Sequence, residues 1–275
     1  MSASSKPRRI DRGTVLRSFD AHARTYDKLV ASNPGYHEHL RMSARRMGLP
    51  NRGAGLRLLD LGCGTGASTA ALLDAAPEAD ITAVDASEEM LEQARRKSWP
   101  STVRFVQGNA ENLAMSGITG PYDGMLAAYL LRNLVHHDAA LRQFLGLLRP
   151  GAPIALHEYS VRDSFRSRIV WTTVCWGVII PVGRIRAGSA DLYRYLWRSV
   201  RKFDGVGALT ARMAAAGFED LRVQTVPGWQ QHIVHTFLGR RPIEPVIDTE
   251  LEMAADPEAV TPPEGVEVTK PPADG

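Results

Sequence analysis

Three closely spaced glycines follow a short apolar run in the first third of the chain, where residues 59–66 read Leu-Asp-Leu-Gly-Cys-Gly-Thr-Gly. Glycine permits positive φ and lets the backbone approach a ligand, so the spacing predicts a binding turn between a strand and a helix. Dinucleotide sites carry their third glycine one residue later and bind a pyrophosphate. An acid two residues before the first glycine instead suits the ammonium end of a ligand. We expect contacts from Asp60, Gly62, Cys63, Gly64, Thr65 and Gly66.

Two further polar sites follow the next apolar runs. Asp85 comes 19 residues after Gly66, at a strand end where a carboxylate can accept hydrogen bonds from both hydroxyls of a ribose. Asn109, Ala110 and Glu111 follow the third run, where an adenine amino group would be bound. Ligands bind at the carboxyl ends of strands in open α/β sheets, so the three sites together predict one nucleoside ligand with an ammonium end. Additional contacts are expected from Ala86, Met90, Ala128 and Tyr129.

Short apolar runs alternate with amphipathic segments, and this alternation is typical of a parallel sheet with helices on both faces. The last two runs are joined by Pro227-Gly228, which predicts an antiparallel hairpin at the sheet edge. The predicted fold is α/β and Rossmann-like, with a mostly parallel seven-stranded sheet and an antiparallel last strand. Strands are predicted at 56–61, 81–84, 103–106, 122–128, 154–158, 221–226 and 233–238, and helices at 14–28, 34–47, 67–76, 88–97, 139–148 and 207–216.

A single domain is predicted over residues 14–241, with an N-terminal helical cap at 14–50 and a lid insertion at 160–206. The start, residues 1–13, is expected to be disordered. Residues 242–275 contain seven prolines and nine acidic residues against one basic residue. Such a composition cannot bury enough apolar surface to fold, so this acidic tail is also expected to be disordered.

The acidic tail offsets a large positive net charge on the rest of the chain. The whole chain has a formal charge of +3, whereas residues 1–241, with 32 basic and 21 acidic residues, carry +11. This excess is mostly arginine, which reflects either the composition of the genome or an anionic partner such as a membrane surface, a substrate or a nucleic acid. Two cysteines and a polar start without an apolar run predict a cytoplasmic protein, with a peripheral location at the inner membrane face as the alternative.

Several segments together resemble the ubiquinone/menaquinone C-methyltransferases, the UbiE-like branch of the class I S-adenosylmethionine-dependent methyltransferases. The glycine turn is shared by the whole class, whereas 191–196 (Asp-Leu-Tyr-Arg-Tyr-Leu), with 214–218 behind it, is more specific. The resemblance implies S-adenosylmethionine as the methyl donor and S-adenosylhomocysteine as the product, bound by the residues named above. It covers about residues 14–240 and also rests on 19–27, 59–66, 109–111, 130–133, 148–151 and 158–160.

The resemblance also places the reacting end of the site. It implies that Arg132 and Asn133 lie beside the methyl acceptor and that Tyr26 closes the pocket from the N-terminal helix. Because arginine stays protonated in proteins, Arg132 would stabilise a phenolate or orient a water rather than act as the base. Methyl transfer from a sulfonium is an in-line displacement, in which the protein aligns the reactants and excludes water. We expect no metal, since the pair His136-His137 has no third ligand nearby in the sequence.

An apolar segment at 169–182, within the insertion, contains two tryptophans and is flanked by arginines. It is shorter than the ~20 residues of a membrane span, and it contains Gly177 and Pro181. One interpretation is a lid that covers a lipid tail and touches a membrane surface through residues 166–186, because Trp and Arg suit the interface. The other is a buried helix that roofs the active site, and the two are compatible.

The sequence leaves the methyl acceptor and the oligomeric state open. Family members usually carry a His two residues before a Gly in the last strand. Here Phe237 stands two residues before Gly239, and His235 stands four residues before it. This departure favours a small or lipid-linked acceptor with a sugar, glycolipid or secondary-metabolite hydroxyl; C-methylation of a prenylated quinol is the alternative. A nucleic-acid methyltransferase and a non-catalytic binding module are the rivals from other classes. Residues 128–131 lack the Asn/Asp-Pro-Pro-aromatic motif of base-modifying enzymes, which argues against nucleic acid.

Overall fold

The computed structural model describes residues 35–187 and 190–243, together with Asp27, Val30 and Asn33. Except for Asp27, the predicted helix at 14–28 lies outside the described residues, and Tyr26 lies outside them too. The predicted disordered start and nearly all of the acidic tail also fall outside. The domain limits and these two disordered ends therefore stay predictions.

The described residues contain one seven-stranded sheet, with β1 (Arg57–Leu61), β2 (Asp80–Asp85), β3 (Val103–Gln107), β4 (Gly124–Ala128), β5 (Pro153–Tyr159), β6 (Glu219–Thr225) and β7 (Val234–Arg240). Their order across the sheet is β3-β2-β1-β4-β5-β7-β6. The first five strands run parallel, whereas β7 pairs antiparallel with both β5 and β6. The predicted mostly parallel sheet with an antiparallel edge hairpin is confirmed.

Eight α-helices are formed by the described residues: α1 (Tyr36–Arg46), α2 (Ala67–Ala75), α3 (Glu88–Arg95), α4 (His137–Leu147), α5 (Phe165–Val174), α6 (Ile180–Ala187), α7 (Asp191–Lys202) and α8 (Val206–Ala215). A π-helical turn, Cys175–Ile179, joins α5 to α6 without a break. Of these helices, α5, α6 and α7 make up the insertion, and the others connect or cover the strands.

Successive residues of the central strand β1 are buried on opposite faces of the sheet. Leu58 packs in a cluster with Leu40 of α1 and Leu72 of α2, whereas Leu59 packs in a separate cluster with Phe144 of α4. Both faces are therefore covered by helices. The carboxyl edge of the parallel strands is left as the place where a ligand cavity forms in such sheets.

Some boundaries differ from the sequence prediction for identifiable reasons. Strand β4 begins at Gly124 rather than at 122, because Tyr122 makes only an isolated bridge to Leu148. Helix α4 begins at His137, so the two adjacent histidines stand at a helix start as expected from their spacing. Within the described ranges, no group of three or more His, Cys, Asp and Glu side chains is arranged to hold a metal ion.

The apolar part of the insertion is longer in the structure than the sequence suggested. A continuous helix runs from Phe165 to Ile185, 21 residues, and by length and composition alone it is able to cross a membrane. Gly177 and Pro181 do not break it. The π-helical turn lies immediately before Pro181, where the ring removes a backbone donor, and its wider spacing accommodates the proline.

Candidate active site

The glycine turn joins β1 to α2 at the carboxyl edge of the sheet. All three glycines have positive φ: Gly62 at +71°, Gly64 at +54° and Gly66 at +92°. A Cβ atom at Gly62 would stand 3.0 Å from Leu130, and one at Gly66 would stand 2.7 Å from the ring of Trp99. Glycine is therefore required both by the backbone conformation and by close packing, and the turn presents main-chain atoms rather than side chains to a ligand.

Asp60 lies behind this turn and is fully buried. Its Oδ2 accepts hydrogen bonds from Ser68 (2.9 Å) and Thr69 (2.7 Å) of α2, whereas Oδ1 has no partner within the described part of the chain. Burial raises the pKa of Asp60 to about 7, because removal from water disfavours the charged form. Asp60 does not itself line the cavity, although Ser68 does. A buried carboxylate with an unpartnered oxygen behind the turn fits a cationic group bound in front of it.

Asp85 ends β2 and lines the cavity directly. Its carboxylate accepts hydrogen bonds from the backbone amides of Gly64 at 2.8 Å and Ser87 at 2.9 Å. These two bonds fix the carboxylate between the glycine turn and the start of α3. A carboxylate that lines the cavity supplies acceptor oxygens of the kind that a pair of ligand hydroxyls binds.

The predicted adenine-binding residues are divided by the structure. Asn109 and Ala110 line the cavity, and the Asn109 Oδ1 accepts the amide of Glu111 at 3.0 Å. Glu111 does not line the cavity, because its Oε1 accepts the amides of Val135 (2.7 Å) and His136 (2.8 Å). The prediction for Glu111 is corrected accordingly: two amides preceding α4 hold its carboxylate away from the ligand.

One cavity is bounded by the carboxyl ends of β1 to β4. Gly66 lies off it, since this residue caps α2 against Trp99, and Tyr26 is outside the described residues. Of the predicted residues, the cavity is lined by Gly62, Cys63, Gly64, Thr65, Asp85, Ala86, Met90, Asn109, Ala110, Ala128, Tyr129, Arg132 and Asn133; the sequence missed Tyr36, Ala67, Ser68, Val84, Ser87, Gly108, Leu130 and Leu134.

Arg132 forms part of the cavity wall in the turn after β4, and its side chain is only 6% exposed. The guanidinium pairs with the fully buried Glu158 of β5 at 2.9 Å and donates to the Tyr129 carbonyl at 2.8 Å. Burial lowers the pKa of Arg132, but the Glu158 carboxylate outweighs this effect and the pKa is raised. Arg132 is therefore a permanent cation, and its Nε has no hydrogen-bond partner in the described part of the chain.

Asn133 is oriented from two sides. Its Nδ2 donates to the Tyr129 carbonyl at 3.0 Å, and its Oδ1 accepts a hydrogen bond from the Tyr195 hydroxyl at 2.8 Å. Tyr195 lies on α7, in the segment that carries the more specific part of the family resemblance. The insertion therefore reaches the reacting end of the site, and it fixes the amide that lines the cavity.

Tyr129 adopts a φ of +55°, which is uncommon for a residue other than glycine and is concentrated at functional sites. Its ring stacks between Tyr36 of α1 (5.6 Å between centroids) and Tyr159 of β5 (4.9 Å). The Arg132 guanidinium lies 5.4 Å from the Tyr129 ring centroid and 5.7 Å from that of Tyr159. This combination of stacked aromatic rings and one buried cation suits a planar, electron-rich acceptor.

A chain of buried hydrogen bonds runs behind Tyr129. The Tyr129 hydroxyl lies 3.0 Å from His157 Nε2, and His157 Nδ1 lies 2.7 Å from the Ser43 hydroxyl. Ser43 in turn lies 2.7 Å from the Thr236 hydroxyl, which accepts a hydrogen bond from Arg46 at 2.8 Å. Burial lowers the pKa of His157 to about 3, so the imidazole is neutral and serves as a hydrogen-bonding link.

The chain matches the ubiE/COQ5 methyltransferase family over residues 7–235, which is most of its length. It belongs to that family. It is 34% identical over 176 residues to the ubiquinone/menaquinone biosynthesis C-methyltransferase UbiE of Bradyrhizobium diazoefficiens, a match covering 62% of this chain and 69% of the relative. It is 33% identical over 181 residues to the demethylmenaquinone methyltransferase of Thermus thermophilus, which covers 65% of this chain and 81% of the relative.

The structure of this UbiE/COQ5 family member is similar to that of a SAM-dependent methyltransferase from Thermotoga maritima. The TM-score is 0.56 at 20% identity, and the match covers 82% of this chain and 99% of the other. Identity this low shows the fold alone, which is that of the class I methyltransferases. Family and fold together identify the chain as an S-adenosylmethionine-dependent methyltransferase, as the glycine turn predicted.

The residues present fit S-adenosylmethionine. The glycine turn, with Asp60 behind it, would hold the ammonium-bearing methionine part; Asp85 would hold the ribose hydroxyls, and Asn109 with Ala110 would bound the adenine. When bound, this ligand supplies an activated methyl group on a sulfonium. The methyl acceptor would then lie against Arg132, because this side chain forms the part of the cavity wall that follows β4.

Proposed function

We propose that this methyltransferase transfers the methyl group to a ring carbon of a quinol that carries an apolar tail. The observation that carries the proposal is the Arg132 guanidinium, held as a buried cation on the cavity wall beside stacked tyrosine rings. A quinol carbon becomes nucleophilic when a ring hydroxyl is deprotonated. A fixed cation stabilises the resulting phenolate and needs no reorganisation at the moment of reaction.

The two relatives support the same acceptor class, since both are named for methylation in ubiquinone or menaquinone biosynthesis. The displaced histidine of the last strand had favoured a sugar, glycolipid or metabolite hydroxyl. His235, however, is buried in β7 and does not line the cavity, so its position says little about the acceptor. The quinol is consequently the better proposal.

In the proposed reaction, the protein aligns the ring carbon with the methyl group and excludes water. A ring hydroxyl first gives its proton to water. The bound donor would then supply its methyl group, with the methyl–sulfur bond breaking as the methyl–carbon bond forms, which would leave a neutral thioether and a neutral ring carbonyl. The ring carbon then loses its proton to water, which restores the aromatic ring as a phenolate, and the phenolate oxygen takes a proton back from water. Arg132 stabilises the negative oxygen, and Asn133, fixed by Tyr195, limits the orientations that the ring can adopt.

The test is an assay of the purified protein with S-adenosylmethionine and two acceptors, a reduced short-chain prenyl naphthoquinol and an alkyl glycoside. We expect methylation of the quinol alone, and NMR of the product should show loss of an aromatic ring proton. Methylation of an oxygen, or turnover with the glycoside only, would overturn the proposal. Asp85→Ala is the control for the donor site: it should lose both turnover and affinity for S-adenosylhomocysteine, by about tenfold or more for each, since it removes a charge-assisted hydrogen-bond acceptor.

A further inference from the structure

The long helix of the insertion presents one face to the protein. Its buried positions are Ser167, Trp171, Cys175, Ile180 and Gly183, which recur every three to five residues across the π-helical turn and form a single stripe. Trp171 packs against Tyr159 at 4.8 Å between ring centroids. The stripe therefore anchors the helix to Tyr159, whose ring stacks on Tyr129 of the cavity wall. The helix does not detach to cross a bilayer without opening that core.

Most of the large apolar side chains on the rest of the helix are exposed. Of the eleven exposed large apolar side chains among the described residues, seven lie between Phe165 and Ile185, and only 22% of the most apolar window is buried. Phe165 is 69% exposed, Trp176 is 49% exposed and Ile185 is 83% exposed. A helix that packs on a protein core normally turns polar residues to water. A concentrated apolar surface of this kind marks an interaction site.

The charge around this face favours an anionic partner. Residues 160–206 contain nine basic and three acidic residues, and Arg166, Arg168 and Arg184 are exposed on the helix itself. Tryptophan and arginine beside apolar side chains are the composition of helices that lie in the plane of a membrane interface. A second protein surface would have to match both the exposed apolar side chains and the arginines beside them. A bilayer with anionic headgroups offers an apolar layer and a negatively charged layer together.

We propose that the exposed face of the helix Phe165–Ile185 docks on the surface of an anionic phospholipid bilayer. Its apolar side chains lie among the acyl chains close to the headgroups, and the arginines bind the phosphate groups. The opposite face of the same helix contacts Tyr159, which stacks on Tyr129 of the cavity wall, so docking brings the cavity close to the lipid phase. The proposal concerns the surface alone and does not depend on which acceptor is methylated.

The test is co-sedimentation of the full chain with phosphatidylcholine vesicles that contain or lack phosphatidylglycerol. We expect binding to the anionic vesicles, and weaker binding, by about tenfold or more, to the neutral ones, because each nearby Lys or Arg adds about 1 kcal/mol of attraction. The double variant Phe165→Glu/Ile185→Glu should lower binding to the anionic vesicles by about tenfold or more. Its affinity for S-adenosylhomocysteine, measured by calorimetry, should stay at the parent value, which shows that it has folded.

A matched control is available on other surfaces. Met115 and Ile243 are 81% and 76% exposed, and Met115→Glu/Ile243→Glu makes the same change of charge away from the helix. This control should bind vesicles as the parent does. Equal loss in both double variants, or no preference for anionic lipid, would overturn the proposal. So would a dimer that sediments without lipid and dissociates only in Phe165→Glu/Ile185→Glu, since the face would then belong to a second copy. Neither vesicle binding nor its loss requires a methyl acceptor, so this test and the quinol assay fail separately.

Discussion

Arg132 and Glu158 form an ion pair that is shielded from water on both sides, with side-chain exposures of 6% and 0%. A pair of this kind costs desolvation energy to form, and removal of one partner leaves an uncompensated buried charge. We therefore infer that the ion pair serves function rather than stability. It keeps a cation on the cavity wall that no change of pH in the working range removes, because the pKa of Arg132 is raised further by Glu158.

We expect Arg132→Ala to abolish measurable turnover and to lower the free energy of unfolding by about 3–5 kcal/mol, since Glu158 is left buried and unpaired. Affinity for S-adenosylhomocysteine should stay within about threefold of the parent value. In free energy, a threefold change is smaller than the ~1 kcal/mol typical of a lost hydrogen bond. Denaturant unfolding, calorimetry and the methyl-transfer assay measure these three quantities.

The double variant Arg132→Ala/Glu158→Gln separates the two roles of the pair. Stability should return for the most part, because a neutral amide replaces the buried carboxylate, whereas turnover should stay lost. Recovery of turnover in the double variant would show that Arg132 acts through stability alone. An equal fall in cofactor affinity and turnover in Arg132→Ala would assign this residue to the donor site instead.

At the residue scale, the sequence predicts those site residues whose positions depend only on their neighbours in the chain. Asp85, Gly62 and Gly64 line the cavity as their spacing predicted, because the strand ends and the turn are short local features of the chain. Glu111 was misplaced, since the amides that bind it lie more than twenty residues later. Tyr36 was missed for a related reason: its helix is far from β4 in sequence, and only the fold brings its ring onto Tyr129.

At the scale of elements, the chain of hydrogen bonds behind Tyr129 joins one helix, α1, to two strands, β5 and β7. His157 of β5 links Tyr129 to Ser43 of α1, and Ser43 is linked to Thr236 of β7. Parallel and antiparallel parts of the sheet are thereby tied to the helix that covers them. Because Ser43, His157 and Thr236 are fully buried, one lost link between them leaves an unsatisfied polar group in the core.

The neutral state of His157 makes this link sensitive to acid. Burial first, then His39, Arg46 and His235, lower its pKa to about 3 in the folded chain, whereas the unfolded value is near 6.5. Between these two values the unfolded chain binds one more proton at this residue. Its contribution to stability is therefore complete above pH 6.5 and is lost as the pH falls towards 3.

We expect His157→Gln to remove this part of the pH dependence. The difference in free energy of unfolding between parent and variant should shrink by roughly 1.4 kcal/mol per pH unit below pH 6.5. Urea unfolding from pH 7.5 down to pH 4.5 measures it, and the exposed His136→Gln should follow the parent curve. A constant difference between His157→Gln and the parent would show that His157 titrates alike in both states.

The order of the elements was predictable from the sequence, whereas the shape of the insertion was not. Strands followed from apolar runs and from the turns between them, and the edge hairpin followed from the short link between β6 and β7. The helix runs unbroken past Gly177 and Pro181 by way of a π-helical turn, and the local sequence pattern does not show this. Which face of that helix is buried depends on Tyr159 and on α7, contacts that no local pattern shows.

At the scale of the whole molecule, the insertion connects a surface to the site. Tyr195 of α7 holds Asn133, Trp171 of α5 packs on Tyr159, and the opposite side of the same helix is exposed and apolar. An acceptor with an apolar tail is dissolved in the bilayer, so its concentration near the site depends on whether the enzyme is docked there. A tail-less acceptor reaches the cavity from water and has no such requirement.

If both proposals hold, Phe165→Glu/Ile185→Glu should lower turnover of a long-chain quinol in anionic vesicles by about tenfold, in step with the loss of vesicle binding. The fall should appear in the apparent KM rather than in kcat, because the variant changes access to the acceptor and not the chemistry. With a tail-less quinol, the variant, Met115→Glu/Ile243→Glu and the parent should all turn over alike. A lower kcat with the tail-less quinol would mean that the helix acts on the site through the contact of Trp171 with Tyr159, and that membrane docking is not its contribution to the reaction.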